Sequence, residues 1–229
     1  MIPKDYIEFY GDQTRWFLGE VVDVENDPLK LGRVKVKVFG VYDEIDDADL
    51  PWAQIVVPVT QGVHDGKGQY LGILKGTQVF GVFLDGQNSQ LPMVIGTVPK
   101  KGDDNAKAKE NYPHNKVYQT DRGHYKEWDD TEGKERIKEY HTSGSYYEIQ
   151  PDGTRLTVIE KDDILIVKGN CSITVVGDVF VSAGKSAVVN AVEDVTVSAG
   201  KSAYVSGKEK VSIVSKTVEI NGSEVKLNS

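Results

Sequence analysis

The amino-acid sequence predicts an all-β protein that combines a small closed barrel with an intertwined trimeric β-helix. Three observations predict this class: alternating apolar segments between proline and glycine turns, a later run of short hairpin-like segments, and an eight-residue repeat. The predicted organisation is a barrel domain at residues 1–99, a linker at 100–111, a β-hairpin region at 112–162 and the octad-repeat stem at 163–229.

Five short segments near the N-terminus carry the strand pattern of the barrel. In residues 33–39 valines alternate with cations, which is typical of an antiparallel strand with one face in water. Glycine and proline turns separate the segments, so five strands in so short a stretch suit a closed Greek-key barrel. The predicted strands are residues 16–24, 33–39, 50–58, 76–84 and 92–98.

The next part of the chain predicts a linker followed by hairpins. Residues 100–111 are polar and rich in lysine, aspartate and glycine, which is a linker composition. Beyond them, aromatic and aliphatic residues alternate with charges. Turn signals at 121–123, 130–133, 143–144 and 151–153 then predict a run of short hairpin strands leading into the stem.

Residues 163–218 divide into seven consecutive blocks of eight. Apolar residues at positions one, three and five of a block predict a short strand with one buried face, and glycines near the block ends allow corners. Cys171 falls in the first-position column, which predicts a small core hydrophobe. The predicted trimer core comprises Leu165, Ile173, Val181, Val189, Val197, Val205 and Ile213 at position three, with Cys171, Val179, Val195 and Val211 at position one.

The length of the repeat favours three chains. Eight extended residues span about 26 Å, which makes one side of a prism, whereas a single-chain solenoid needs roughly 20 residues per coil. Three chains with one block each would close the ring. A monomeric solenoid with two blocks per coil is the alternative, because VSAGKS recurs at 181–186 and 197–202. AGKS is no phosphate loop, since Val179 and Val195 stand where its first glycine is required.

Four motifs in series carry a resemblance to a known family. WFLGEVVDVENDPLKLGRVKVKVFG, LPWA, GTQVFGVFLDG and PMVIGTVP resemble the oligonucleotide/oligosaccharide-binding (OB) fold domain of the central spike proteins of contractile phage tails. T-even-like phages give the nearest likeness, VgrG-type spikes a looser one, and the hairpin region is similar to the segment that introduces the β-helix there. The family-motif residues are Asp27, Pro28, Gly32, Arg33, Pro51, Trp52, Gly76, Gly86, Pro92 and Gly96.

The resemblance implies a structural virion protein that is made in the host cytoplasm and sits in the baseplate at the tip of the tail tube. It implies a homotrimer that docks its barrels on the tube hub protein, punctures the host outer membrane mechanically and carries a PAAR-type tip protein at its C-terminal end. The best-known T-even spikes carry a lysozyme domain where this chain has only the linker, so no enzyme activity is expected here.

Two alternatives to the phage spike remain open at this point. The first is a VgrG-type spike of a bacterial type VI secretion or contractile injection system, which would use the same kind of trimeric β-helix in a different apparatus. The second is a barrel that binds single-stranded nucleic acid or sugar and carries an oligomerising tail. Trp16, Trp52 and Trp128 could stack bases on such a barrel, but barrel core or an interface with a neighbouring protein is the favoured prediction for them.

Composition narrows the function classes. The 229 residues carry 27 basic and 35 acidic side chains, a net charge of −8, which argues against a nucleic-acid partner. A single cysteine excludes an intrachain disulfide framework. The N-terminal residues 1–12 lack the pattern of a secretory signal, and no apolar run is long enough for a membrane helix. A soluble protein is therefore expected.

No residue set predicts catalysis, a cofactor or a metal. The acidic run at 43–49 lacks the glycine and the terminal glutamate of a calcium loop and predicts a solvated loop. No apolar pocket is evident that would shift the pKa of a later carboxylate group. The four histidines lack the spacing of a two-histidine metal site. Some relatives in the resembled family carry a histidine-bound iron at the spike tip, but residues 218–229 contain no histidine, so no tip metal is expected. The later carboxylates are Glu127, Asp129, Asp130, Glu132 and Glu135, and the histidines are His64, His114, His124 and His141.

Overall fold

The structure is a computed structural model that describes residues 14–68, 70 and 72–226. The chain divides into two units between Ile166 and Val167. The predictions for residues 1–12 and for the last three residues of the stem lie outside the described residues. In the part of the chain that is described, no helix has the length and apolar character needed to cross a membrane.

The first five strands close into a barrel, as the sequence predicts. The order around the barrel is β1-β2-β3-β5-β4, and every pairing is antiparallel except the parallel pair β3–β5. The third strand is shorter than predicted because it lies between Pro51 and Pro58, which donate no backbone hydrogen bond. The strands are β1 Arg15–Asp23, β2 Val34–Val38, β3 Trp52–Ile55, β4 Gln78–Phe83 and β5 Pro92–Thr97.

The interior of the barrel is filled by valines and aromatic rings. The valines of β2 point inward, as their alternation predicts, and the Phe17 ring packs against that of Phe83 with centroids 4.9 Å apart. Gly81 lies directly under the Phe17 ring, where any Cβ would collide with it. The inward side chains are Phe17, Val21, Val34, Val36, Val38, Tyr42, Leu50, Ala53, Val79, Phe83 and Val94.

The prediction that the cations of the second strand lie in water is wrong for Lys35. This residue is buried, and its Nζ donates a 2.5 Å hydrogen bond to the carbonyl of Ala48, while the Nζ of Lys37 donates to the carbonyl of Ile45. Both acceptors belong to the acidic loop, which ends in a short 3-10 turn at Asp47–Asp49. The loop therefore folds over β2 through its backbone carbonyls and keeps its carboxylates in water.

Five further strands form an antiparallel sheet in sequence order within the region predicted as hairpins. The predicted linker contains a short helix, α1 Ala106–Glu110, that was not predicted from the sequence. Asn105 caps α1 by accepting a 3.0 Å hydrogen bond from the amide of Ala108, and alanine and lysine favour the helical conformation. The strands are β6 Asn115–Gln119, β7 Tyr125–Asp129, β8 Arg136–Tyr140, β9 Tyr146–Ile149 and β10 Arg155–Val158.

The second unit has the eight-residue period in its backbone but no regular secondary structure. The chain bends at 168–169, 176–177, 184–185, 192–193, 200–201 and 208–209, always at positions six and seven of an octad. Glycines lie at or beside most of these bends. Among the described residues from 161 to 226, no strand is assigned and no backbone amide donates to a backbone carbonyl. Each octad is thus an extended segment that lacks a strand partner in its own chain.

Candidate functional site

The first residue cluster of interest is the family motif between β1 and β2. Asp27 is buried, and its carboxylate accepts hydrogen bonds from the backbone amides of Leu29, Leu31 and Arg33 at 2.8–3.2 Å. The Arg33 guanidinium adds two more, from Nε at 3.1 Å and from Nη2 at 2.6 Å. One carboxylate therefore holds the whole connection between the two strands, whose backbone passes through left-handed conformations at Lys30 and Gly32.

The pKa of Asp27 reflects these contacts. The hydrogen bonds from the Arg33 side chain lower it, burial opposes this, and the three backbone amides lower it further, so the pKa lies well below its usual range. The carboxylate consequently stays ionised and serves as an anchor. It cannot act as a general acid at neutral pH, because no proton resides on it.

Trp52 extends this motif cluster across the barrel. The Arg33 guanidinium lies 5.8 Å from the centre of the Trp52 ring, and the Lys35 ammonium lies 5.1 Å from it. Asp27, Gly32, Arg33 and Trp52 are thus brought together, and Lys35 links them to the acidic loop.

The remaining motif residues are spread around the barrel, where most have separate local roles. Gly76 and Gly86 have left-handed backbones with φ of 87° and 56°, and Pro92 begins β5 opposite Phe83. Pro51 immediately precedes β3. Gly96 has free space around it and needs no special backbone angle, so nothing in the structure explains a glycine there.

The outer wall of the barrel carries an apolar surface. Trp16 and Phe80 stack with ring centroids 5.1 Å apart and an interplanar angle of 9°. The strand register places Trp16 opposite Val82, and Val82 opposite Met93, with Leu18 opposite Phe80 in the next row. We call these five side chains the Trp16 wall. Trp16 is 58% exposed because even-numbered residues of β1 point away from the interior, so of its two predicted positions, barrel core or protein interface, the core is wrong.

A second cluster, missed from the sequence, lies on the sheet β6–β10. Glu127 is fully buried and accepts hydrogen bonds from Asn115 Nδ2 at 2.7 Å and from Arg136 Nη2 at 2.6 Å. Beside it, Lys138 and Glu148 form an ion pair at 2.8 Å. Of the five later carboxylates, the structure therefore buries Glu127 and also Asp129, while the other three lie at turn positions. The feature that identifies this cluster is the pairing of opposite charges across neighbouring strands. The sequence does not show that pairing until the strand register is known.

The contacts in this cluster favour the ionised states of Asp129, Glu148 and Arg136. Burial alone would raise the pKa of Asp129, but hydrogen bonds from Thr131 and Asn111 outweigh it and lower the pKa. Burial likewise opposes ionisation of Glu148, and the Lys138 partner lowers its pKa overall. Burial disfavours the cationic form of Arg136, yet its hydrogen bond to Glu127 raises its pKa. Because their pKa values are lowered, Asp129 and Glu148 are not poised for proton transfer at neutral pH.

A pocket of about 430 Å³ lies beside the charged cluster and is lined by Asn111, Lys134, Arg136, Glu148 and Asp152, among others. Arg136 Nε and Glu127 Oε2 are buried without a partner among the described atoms. Buried polar atoms of this kind are the usual sites of internal water. The pocket is lined mainly by polar and charged side chains and does not assemble a nucleophile with a base.

The structure brings two histidines together, and the sequence did not predict their proximity. The rings of His124 and His141 have centroids 4.5 Å apart, because the turns after β6 and β8 lie at the same end of the sheet. Among the described residues, no group of three or more metal-ligating side chains exists.

The octad columns form the third region of interest. The seven residues at position three are between 72% and 86% exposed in the single chain, and the valines at position one are also exposed. Cys171 is exposed as well. So many solvent-facing aliphatic side chains at a fixed period are unusual for a monomeric protein.

We expect Asp27→Asn to weaken the barrel by roughly 2–3 kcal/mol, because the amide cannot accept all five hydrogen bonds and leaves Arg33 without its counter-charge. The pKa of Asp27 is lowered in the folded state, so its contribution is present above the ordinary value of 3.8 and is lost as pH falls. Urea unfolding at pH 7 and pH 3 should therefore show a large difference between wild type and variant at pH 7 and a smaller one at pH 3. An equal difference at both values would contradict the anchor role.

We expect Arg136→Gln to destabilise the sheet β6–β10 by about 3 kcal/mol, because it leaves the buried Glu127 carboxylate without its cation. Lys116→Gln is the matched control, since the Lys116–Asp130 pair is 62% exposed on both sides and should contribute less than about 1 kcal/mol. Amide hydrogen exchange of β7 and β8 measures both. Equal effects of the two substitutions would contradict a structural role for the buried pair.

Comparison with known proteins identifies the family of the N-terminal unit. The family model described as the Gp5 N-terminal OB domain matches residues 33–163. Protein Gp5 of Vibrio phage KVP40 is 26% identical over 272 aligned positions, which cover 73% of this chain and 64% of that protein. The pre-baseplate central spike protein Gp5 of Enterobacteria phage T4 is 36% identical over 101 positions, which cover 40% of this chain and 17% of that protein.

The chain therefore spans less than two thirds of either relative. The closed barrel, with its parallel β3–β5 pair, agrees with the OB fold that the resemblance implied. Because the family model matches more than half of its 229 residues, the chain belongs to the Gp5 N-terminal OB-domain family.

Proposed function

We propose that this chain is a central spike of a contractile phage tail baseplate, a structural component of the virion. Family membership and the printed names of its relatives support that role. One observation carries the proposal furthest: the apolar columns of the octad segment are exposed, and over residues 163–218, all of them described, its backbone amides donate to no backbone carbonyl of the same chain. A segment of this kind suits one side of a β-helical shaft that is built from several chains.

Three copies satisfy the octads better than one. In a single-chain solenoid, successive coils would pair with each other, and the described residues 161–226 contain no such backbone pairs. In an intertwined trimer, each segment between two bends forms one side of a three-sided shaft and pairs with segments of the other two chains. The aliphatic residues at positions one and three then face the shared axis, and the bends at positions six and seven form its corners.

The proposed mechanism is mechanical. A shaft built from three interlocked chains has a continuous ladder of backbone hydrogen bonds, in which no chain can bend without breaking bonds to the others. Seven octads that each climb one strand spacing of about 4.8 Å give a rod roughly 35 Å long. Contraction of a tail sheath would drive this rod into the host outer membrane, with a PAAR-type tip protein on its C-terminal end.

The role we propose for this chain is structural, without catalysis. The alignment with the KVP40 protein runs over 272 positions, more than the 229 residues of this chain, so that relative has residues inside the matched range that have no counterpart here. Between β5 and β6 this chain has only residues 98–114, which include α1. That stretch is far too short to hold two carboxylates across a sugar cleft.

We further propose that the Trp16 wall docks the barrel on the tail tube hub protein. The wall lies outside a barrel whose interior is already filled, so its apolar side chains do not serve the barrel core. A stacked tryptophan and phenylalanine are the type of rigid aromatic anchor that dominates protein interfaces. The hub is the partner we assign because the spike proteins that this chain resembles carry their barrels at the tube end.

The first experiment replaces one residue of the inward column. In the proposed trimer, Val189→Asp places three carboxylates together on the axis and should abolish the trimer. Val192→Asp is the control, since Val192 lies at a bend and points outward. Light scattering and unheated SDS gels measure the subunit count. A trimer that survives Val189→Asp would refute the shaft.

The second experiment tests the docking wall. Trp16→Glu should weaken binding of the purified spike to the hub protein of the same virus roughly thirtyfold, as loss of a central aromatic anchor does. Val59→Glu is the control, because Val59 is a fully exposed apolar residue in the loop after β3. Binding is measured by titration calorimetry. Unchanged affinity for Trp16→Glu would remove the wall from the interface.

A further inference from the structure

The turns at one end of the sheet β6–β10 bring two imidazole rings into contact. Backbone hydrogen bonds between Thr120 and His124 close the turn after β6, and one between His141 and Ser145 closes the turn after β8. The two histidine rings have centroids 4.5 Å apart and an interplanar angle of 43°. A contact between two histidines differs from other ring contacts, because protons can give both partners the same charge.

The hydrogen bonds of the turn after β8 require an unprotonated Nδ1 on His141. That nitrogen accepts a 3.1 Å hydrogen bond from the backbone amide of Ser143, and a ring nitrogen that accepts carries no proton. A proton on Nδ1 would point at the amide hydrogen of Ser143 and break this bond. The turn is therefore built around a neutral imidazole.

The same turn holds the residue at which the chain leaves the sheet. The Ser143 Oγ lies 2.8 Å from the His141 Nδ1 and 3.3 Å from the Ser145 Oγ. The Ser145 Oγ in turn accepts a 3.1 Å hydrogen bond from the backbone amide of Glu160, which lies at a bend two residues after β10. Gly144 allows the Glu160 side chain to lie against the turn, because a Cβ there would come within 3.1–3.3 Å of it.

The charged groups around the pair favour one imidazolium more than two. Lys126 and Glu139 form an ion pair with each other at 3.2 Å, and the turn after β6 carries one acid and one base, Asp121 and Arg122. Glu160 adds a single carboxylate beside the turn after β8. The other titratable side chains around the pair belong to tyrosines, a residue type that ionises far above neutral pH. They are Tyr118, Tyr125, Tyr140, Tyr146 and Tyr147.

We propose that His124 and His141 form a pH-sensitive latch that fixes the exit of the chain from the sheet. With both rings neutral, the turn after β8 is intact and its Ser145 holds the Glu160 amide. When both rings carry a proton, two like charges meet at the ring contact and the Ser143 amide loses its acceptor, so the rings separate. The Glu160 amide is then released, and the residues that lead into the octads come away from the sheet.

The test measures how readily the backbone is cleaved after Glu160 in the full chain. A glutamate-specific endoprotease supplies an internal reference by cleaving after Glu132 as well, an exposed residue in the turn after β7, at the opposite end of the sheet. The ratio of the two cleavage rates cancels the response of the protease itself to pH. In wild type this ratio should rise roughly tenfold or more between pH 7.5 and pH 5.5, because the latch opens as the rings gain protons.

His124→Phe keeps a ring in the contact and removes one of the two charges, so its ratio should change by less than about twofold over the same range. His64→Phe is the matched control: His64 lies in the loop between β3 and β4, and this variant should keep the wild-type response. Ser145→Ala removes the acceptor of the Glu160 amide and should give a high ratio already at pH 7.5.

A wild-type ratio that does not depend on pH would overturn the latch, and so would a pH response that His124→Phe retains in full. If His124→Phe does not fold, Ser145→Ala decides: a low ratio at pH 7.5 that still rises at pH 5.5 would show that Ser145 does not hold the chain. Light scattering on the same samples gives the subunit count. The ratio is interpreted in the same way for a monomer and for a trimer, so the latch and the proposed shaft can fail independently.

Discussion

The structure depends most on one constraint: over residues 163–218, all of them described, no backbone amide of the octad segment donates to a backbone carbonyl of its own chain. A peptide group that lies inside a protein must be hydrogen-bonded, and an extended segment can bond only to a neighbouring strand. Bends at an eight-residue spacing divide the segment into extended pieces of equal length. In the trimer we propose, strands of the other two chains supply the hydrogen-bond partners.

The barrel satisfies the same constraint internally. Its five strands close on each other, so no edge remains, and the connection between β1 and β2 is bonded to a single carboxylate, that of Asp27. Lys35 and Lys37 hold the acidic loop in the same way, because their ammonium groups donate hydrogen bonds to its backbone carbonyls. The barrel can thus fold within one subunit, and its apolar outer wall remains available for a different protein.

Periodicity made most of the fold predictable. The strict alternation in residues 33–39 and the turn signals located the five strands of the barrel, and glycines lie at or beside most of the observed octad bends. The register between neighbouring strands could not be predicted from the sequence. The pairing of Glu127 with Lys138 across β7 and β8, the burial of Lys35 and the exposure of Trp16 all depend on which residue lies opposite which. The five-residue α1 was missed because so short a helix leaves almost no periodic signal.

The order of these units along the chain has a physical consequence for assembly. In the trimer we propose, an octad segment would lose conformational entropy when it joins the shaft and would gain hydrogen bonds only if all three chains enter in the same register. Because every octad resembles the next, slippage by eight residues would preserve the apolar columns. The repeat alone therefore does not set the register of the shaft, and the folded residues that precede the first octad in each chain are the part that can set it.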